Sequence, residues 1–176
     1  MTEEAKEELK PWQKLGSAIG TIESRLRHAD PGELAALRRL AGGKPSLAYW
    51  RVMAECRVDE DLRTEGREAL WPPILAALAQ IAPLGEGGQP LGRVLAETGY
   101  AEARLLRLLR ADATSVGDEI GTVARWLAAK GVRARGYELA DFALSRLNAD
   151  AGSLDRAASA IAKAYFTPIA KAEVKA

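Results

Sequence analysis

The sequence predicts an all-α protein, a helical bundle of about eight to nine helices in two small lobes. Apolar residues recur at the helical period through nearly every segment, and no run of alternating β-branched residues is bounded by hairpin turns. One stretch, Pro83 to Pro90 (PLGEGGQP), interrupts the pattern with three glycines and two prolines. It predicts a flexible linker over 83–90 between an N-terminal lobe at 1–82 and a C-terminal lobe at 91–176.

Taken in order, a first helix is expected from Glu4 to Arg27, bent or interrupted near Pro11 and loosened by Gly16 and Gly20. Asp30-Pro31-Gly32-Glu33 is a start signal, with Asp30 at the N-cap, Pro31 in the first turn and Glu33 at the capping-box position. That helix carries Leu34, Leu37 and Leu40 and stops at Gly42-Gly43. A third spans Ser46 to Arg57, and Asp59-Glu60-Asp61 leads into another containing Trp71, which Pro72-Pro73 must break or restart. Beyond the linker come a short helix at Leu91 to Thr98, one at Ala101 to Ala111, and one from Ser115 to Lys130 closed by Gly131. In the last of these Val116, Ile120, Val123 and Leu127 form a stripe with Arg125 opposite. Helices at Tyr137 to Leu147 and Ser153 to Phe166 complete the chain, Arg156 and Lys163 opposing Leu154, Ile161 and Tyr165, and a frayed, weakly basic tail follows.

At 176 residues the chain can bury a core without disulfides or metal, and 48% hydrophobic residues exclude wholesale disorder. Cys56 is the only cysteine, which excludes an internal disulfide and a multi-cysteine zinc site; in YWRVMAEC it is expected as a small buried hydrophobe. No apolar run reaches the roughly 18 residues of a membrane span, and the acidic opening MTEEAKEELK is the reverse of a signal peptide's basic start. A cytoplasmic chain with no membrane partner is the expectation. The net charge is only +1, but it is unevenly placed: residues 10–57 hold nine Lys/Arg against four Asp/Glu, and residues 58–92 hold two against six. Local basic surface, rather than indiscriminate coating of nucleic acid, fits that distribution.

Catalytic chemistry has little material. His28, at a helix end between Arg27 and Ala29, suits helix capping or a phosphate contact better than proton transfer. Asp59, Glu60, Asp61, Glu65 and Glu68 have no glycine-bearing Asp-x-Asp loop around them and read as a solvated acidic face, not a cation site. Gly85-Glu-Gly-Gly-Gln lacks the lysine and the strand-to-helix setting of a phosphate-cradling loop. No catalytic residue, metal ligand, cofactor or small-molecule substrate is therefore expected.

The chemistry the sequence does offer is cationic. On the helix around Ala101 to Ala111, Arg104, Arg107 and Arg110 fall within about a third of the circumference, while Leu105, Leu106, Leu108 and Leu109 take the opposite arc. Arginine's planar fork suits phosphate, so the ridge fits a polyanion; the plain alternative is an ordinary amphipathic helix with an Arg-rich solvent side. Further cations lie on polar faces at Arg25, Arg27, Arg38, Arg39 and Lys44 before the linker, and at Arg93, Arg125, Lys130 and Arg133 after it. Brought together by folding, they would form a track for a nucleic-acid backbone. Trp12, Trp50, Trp71 and Trp126 could stack on bases, but tryptophan at helical spacing beside Leu, Met and Val is expected as core.

The run Leu91-Gly92-Arg93, Leu95-Ala96, Gly99, Glu102, Arg104, Leu108 and Arg110-Ala111-Asp112 resembles the central signature of the small CasB-type subunit of the type I-E CRISPR Cascade complex. Pro31-x-x-Leu34-x-x-Leu37-Arg38-Arg39 resembles that family's early Arg-bearing helix, and Val123-Ala-Arg125-Trp-Leu127 its later one. The likeness covers most of residues 30–166; it does not extend to the acidic start with Glu3, Glu4, Glu7 and Glu8 or to the tail after Phe166.

The resemblance implies an all-α, two-lobed, non-catalytic subunit that assembles as two copies, head to tail, beside the guide RNA with backbone and large subunits. It also implies a role in holding the target strand and giving the displaced strand a basic path, while base pairing supplies sequence specificity. Carried over by position, the DNA-contacting residues are Arg38, Arg39, Arg104, Arg107, Arg110 and Arg125, with Arg107 resting chiefly on the helical wheel. Two other classes stay open at this point. A stand-alone helical DNA-binding regulator would need amides or arginines at base edges, yet Gln13, Gln80, Gln89 and Asn148 lie outside any basic helix. A purely structural adaptor would use the basic faces against acidic proteins.

Overall fold

The computed structural model describes residues 10–42, 44–64, 66–147 and 151–173, with side chains left undescribed at 41–42, 151–155 and 169–173. The protein is all-α. The helices are α1 (Pro11–Arg27), α2 (Pro31–Arg38), α3 (Leu47–Glu55), α4 (Trp71–Ile81), α5 (Leu91–Glu97), α6 (Glu102–Leu109), α7 (Val116–Lys130), α8 (Gly136–Ser145) and α9 (Ala151–Glu173). Short 3-10 turns at Arg39–Gly42, Glu60–Leu62, Arg67–Leu70 and Ala82–Leu84 fill the connections. None of the helices is long and apolar enough to cross a membrane among the described residues.

Local chemistry explains most boundaries. Pro11 occupies the first turn of α1 and starts it rather than bending it, since a missing N–H is harmless there; the expected stretch from Glu4 to residue 9 lies outside the described residues. The Asp30 carboxylate accepts the Glu33 N–H at 2.9 Å and caps α2. Ser46 caps α3 through the Tyr49 N–H. Pro72 and Pro73 sit in the opening turn of α4, so they restart the helix. Gly131, at φ 66°, closes α7 in the left-handed conformation. The last helix is longer than expected: α9 continues past Phe166 to Glu173 with Pro168 inside it. One proline removes a single N–H, and the helix runs on through that gap.

The core is organised around α4. Every residue from Trp71 to Ala79, and Ile81, is buried, so this helix has no solvent face. It lies against α7, α2, α8 and α1, and its Trp71 indole donates to the Leu62 carbonyl at 2.8 Å. Buried side chains from both halves of the chain join one hydrophobic cluster running from Leu15 to Tyr165. The Pro83–Pro90 segment thus crosses between halves that share a core, and its end is pinned: Arg135 N–H donates to the Gln89 carbonyl at 3.0 Å and Arg135 Nε to the Gly88 carbonyl at 3.2 Å. A buried Cys56, its thiol pushed up by burial, fits the expected hydrophobic role.

The second major contact sets α5 on α9. At Gly92 the two backbones approach so closely that a Cβ would overlap the Ile161 carbonyl oxygen and stand 2.7 Å from the Tyr165 nitrogen. The Tyr165 hydroxyl on α9 donates to the Tyr100 carbonyl. Gly92→Ala is expected to force α5 off α9 and lower stability by about 1–3 kcal/mol or more, seen as a drop in the thermal midpoint by circular dichroism. An unchanged midpoint would mean that the crossing is looser than described.

Candidate nucleic-acid interface

On α6 the buried side follows the helical wheel. Leu105 and Leu108 are fully buried, Leu109 is half-buried, and Arg104, Arg107 and Arg110 are exposed. Leu106 corrects the sequence reading: it is 45% exposed. At about 100° per residue it lies roughly 160° from Leu108, on the flank beside Arg110.

The helix that faces α6 supplies an aromatic platform. Trp126, half-buried on α7, packs edge-on against the fully buried Tyr100 with ring centroids 5.5 Å apart, and its Nε1–H donates to Thr98 Oγ1 at 3.0 Å. Two cations stand at this ring: the Arg104 guanidinium is 5.6 Å from its centroid and Lys130 Nζ 4.8 Å. Each is within cation–π range, about 6 Å. Neither has an ion pair or hydrogen bond to a described side chain, so their N–H donors remain open to a phosphate. The expectation that all four tryptophans are core holds for Trp71 and fails for Trp12 and Trp50, which are 60% and 47% exposed. Helical spacing alone does not say which flank of a stripe a tryptophan occupies.

Of the other cations named from the sequence, several are held by carboxylates. Arg25 is the strongest case, with Nη1 and Nη2 on the two Glu33 oxygens at 2.7 and 2.8 Å and Nε on Glu55 at 2.7 Å. Its guanidinium is held further above its ordinary value, chiefly by the Glu33 hydrogen bonds with burial opposing. This triad ties α1 to α2 and α3 and commits all three guanidinium nitrogens of Arg25 to carboxylates. Arg107 pairs with Glu119 at 2.8 Å across α6 and α7, Arg93 with Glu97 at 2.7 Å within α5, and Arg133 with Glu23 at 2.9 Å. Arg27 stands 3.9 Å from Glu86.

Backbone carbonyls take two more. Arg38 donates through Nε to the Ala79 carbonyl at 3.1 Å, which fastens α2 to α4, and Arg39 to the Ala35 carbonyl at 3.1 Å. Arg110 and Lys44 are exposed and make no ion pair with a described residue. Arg125 is exposed on α7 and donates only to Thr122 Oγ1 at 3.1 Å. The exposed cations without a carboxylate partner among the described residues therefore contract to Arg104 and Lys130 at the Trp126 ring, Arg110 on α6, Arg125 on α7 and Lys44, with Arg39 exposed on the turn that contacts α7. His28 closes α1 through its backbone, its N–H donating to the Arg25 carbonyl at 3.2 Å while the Ala29 N–H donates to that of Leu26 at 3.3 Å.

The turn joining α6 to α7 fixes the relative placement of Arg104 and Trp126. Asp112 Oδ1 accepts from the N–H and hydroxyl of both Thr114 and Ser115, at 2.8 to 3.0 Å. Those bonds, the Thr114 hydroxyl first, hold its carboxyl down to about 2. A carboxyl depressed in the folded state stabilises above its unfolded value near 4 and loses that contribution as pH falls toward 2. The melting-temperature gap between wild type and Asp112→Asn is expected to be full above about pH 4 and to close by about pH 2. A gap independent of pH would mean that the amide cannot take over the cap for steric reasons alone.

Arg25→Ala is expected to cost about 1–3 kcal/mol by leaving Glu33 unpaired, whereas Arg104→Ala should leave the midpoint nearly unchanged. Likewise Leu105→Asp should abolish the cooperative thermal transition and Leu106→Asp should retain it. Equal losses in either pair would overturn the division into structural and solvent-facing positions.

Compared with protein-family models, curated proteins and solved structures, the chain matches none, so the assignment of this face rests on its own residues.

Proposed function

We propose that the protein is a non-catalytic, sequence-independent nucleic-acid-binding subunit of a type I-E CRISPR RNA-guided surveillance complex in antiviral defence, where it stabilises the R-loop. The reading draws on the likeness of the 91–112 segment to the CasB-type signature. The single structural observation that supports it best is Trp126 with Arg104 and Lys130 at its ring and, among the described residues, no carboxylate paired with either cation. A face so built offers phosphates charge and hydrogen-bond donors, an attraction that is independent of base sequence. Its partners are the guide RNA and target DNA, the backbone and large subunits, and a second copy of this chain.

The mechanism is mass action. Exchange of the DNA duplex for the RNA–DNA heteroduplex is nearly balanced, so contacts that exist only after strand separation draw it forward. Each phosphate neutralised releases condensed counterions, and affinity should fall by roughly 0.7 to 0.9 log units per contact per log unit of salt. With about four such contacts, one subunit binds weakly alone; assembly beside the guide converts the contacts into intramolecular ones.

Fluorescence anisotropy of labelled single- and double-stranded DNA, at two salt concentrations, tests this. Weak, sequence-blind, salt-sensitive binding is expected, reduced about tenfold or more by Arg104→Glu and by Arg125→Glu, with helicity unchanged. Tight binding to one duplex sequence would point instead to a stand-alone regulator. No binding even after assembly with guide RNA and partner subunits would leave only a structural adaptor.

A further inference from the structure

A second cluster of guanidinium groups lies away from Trp126, where α1, the 85–90 crossing and the start of α8 border an open cavity of about 420 Å³. Among its lining residues three arginines, Arg27, Arg133 and Arg135, meet one carboxylate, Glu23. The volume far exceeds the roughly 10–15 Å³ that a single water needs.

Arg133 is the unusual member. Its side chain is only 8% exposed, and Glu23 at 2.9 Å accounts for Nη2 alone. Its Nε and Nη1 are buried with no hydrogen-bond partner, and so are Nε of Arg27 and, as the one acceptor among them, Oε1 of Glu23. Buried charged donors left unmade are expensive, and a native structure rarely keeps three together unless something occupies the space they face.

The same cavity receives the N-terminus of α8. Gly136 and Tyr137 line it, and no side chain caps this helix at Arg135. First-turn N–H groups and the helix dipole favour an anion there. Glu23 brings one negative charge, with Oε1 2.5 Å from where a Cβ on Gly136 would stand. Glu138, 3.5 Å from Arg135 Nη1, and the 88% exposed Glu86, 3.9 Å from Arg27 Nη2, act from outside the lining. Within it, positive charge exceeds negative.

We propose that this cavity binds a phosphate group, held by Arg133 and Arg27 with the uncapped N-terminus of α8. Three donors that lack acceptors and an anion that requires several donors satisfy each other. The site is separate from Arg104 and Trp126 and does not depend on the function proposed above.

The test uses the full chain. Inorganic phosphate should raise the thermal midpoint in a saturable way over chloride at equal ionic strength, and calorimetric titration should give one site. Arg27→Gln leaves the Arg133–Glu23 pair in place and should weaken phosphate binding about tenfold or more. Arg104→Glu should leave it unchanged while losing DNA. Competition separates the sources: a 5′-phosphorylated oligothymidine that displaces phosphate, where its unphosphorylated counterpart does not, assigns the pocket to a strand's terminal phosphate. Competition by neither assigns it to the free oxyanion. No stabilisation over chloride, or full binding retained in Arg27→Gln, would overturn the proposal.

Discussion

A helix with no solvent face has to be enclosed, and in this protein that helix is α4. Trp71 through Ala79 are buried on every side, so its neighbours are obliged to cover it. The alanines at 76, 77 and 79 keep those neighbours close, and the proline pair at its start removes N–H groups that burial would otherwise leave unmade. Covering α4 requires α1 and α2 from one half of the chain and α7 and α8 from the other. Once they are in place, α7 has one face on the core and one outward, and the outward face carries Trp126, Arg125 and Lys130.

That enclosure divides the arginines into two kinds. Where helices from different parts of the chain converge, a guanidinium meets carboxylates: the exposed Arg107 reaches across to the largely buried Glu119, and Arg25 locks the packing with Glu33 and Glu55. Arg38 does the same with a backbone carbonyl of α4. Where a helix looks outward, the cation stays open or leans on an aromatic ring, as Arg104 and Lys130 do. An exposed ion pair contributes little, about 0–1 kcal/mol, so Arg93 with Glu97 on the surface is a weaker commitment than Arg25 in its triad. Cationic residues close in sequence thus end in different roles, as Arg104 and Arg107 show.

Much of the architecture was legible in the chain. The Asp30 cap, the Gly131 stop, the stripe of Val116, Ile120, Val123 and Leu127, and the buried Leu105 and Leu108 all follow from signals that act within a few residues. Errors came where a residue sits at the edge of a stripe or past a local stop signal. Leu106 and Trp50 flank buried faces, and α9 passes through Pro168. The spacing of Trp126 to Lys130, four residues on, is the sign in the chain of a cation–aromatic pair.

By itself the sequence determined the helices, their ends and their apolar sides, because capping, proline geometry and helical period are short-range. It also supplied the resemblance that frames the functional proposal. Only the tertiary structure decided which cations are neutralised, since a pair such as Arg25 with Glu55 spans thirty residues of chain and exists only when α1 and α3 are side by side. The same holds for the cavity of Arg27 and Arg133: its charge comes from residues far apart in the chain, and Coulomb interaction depends on distance in space.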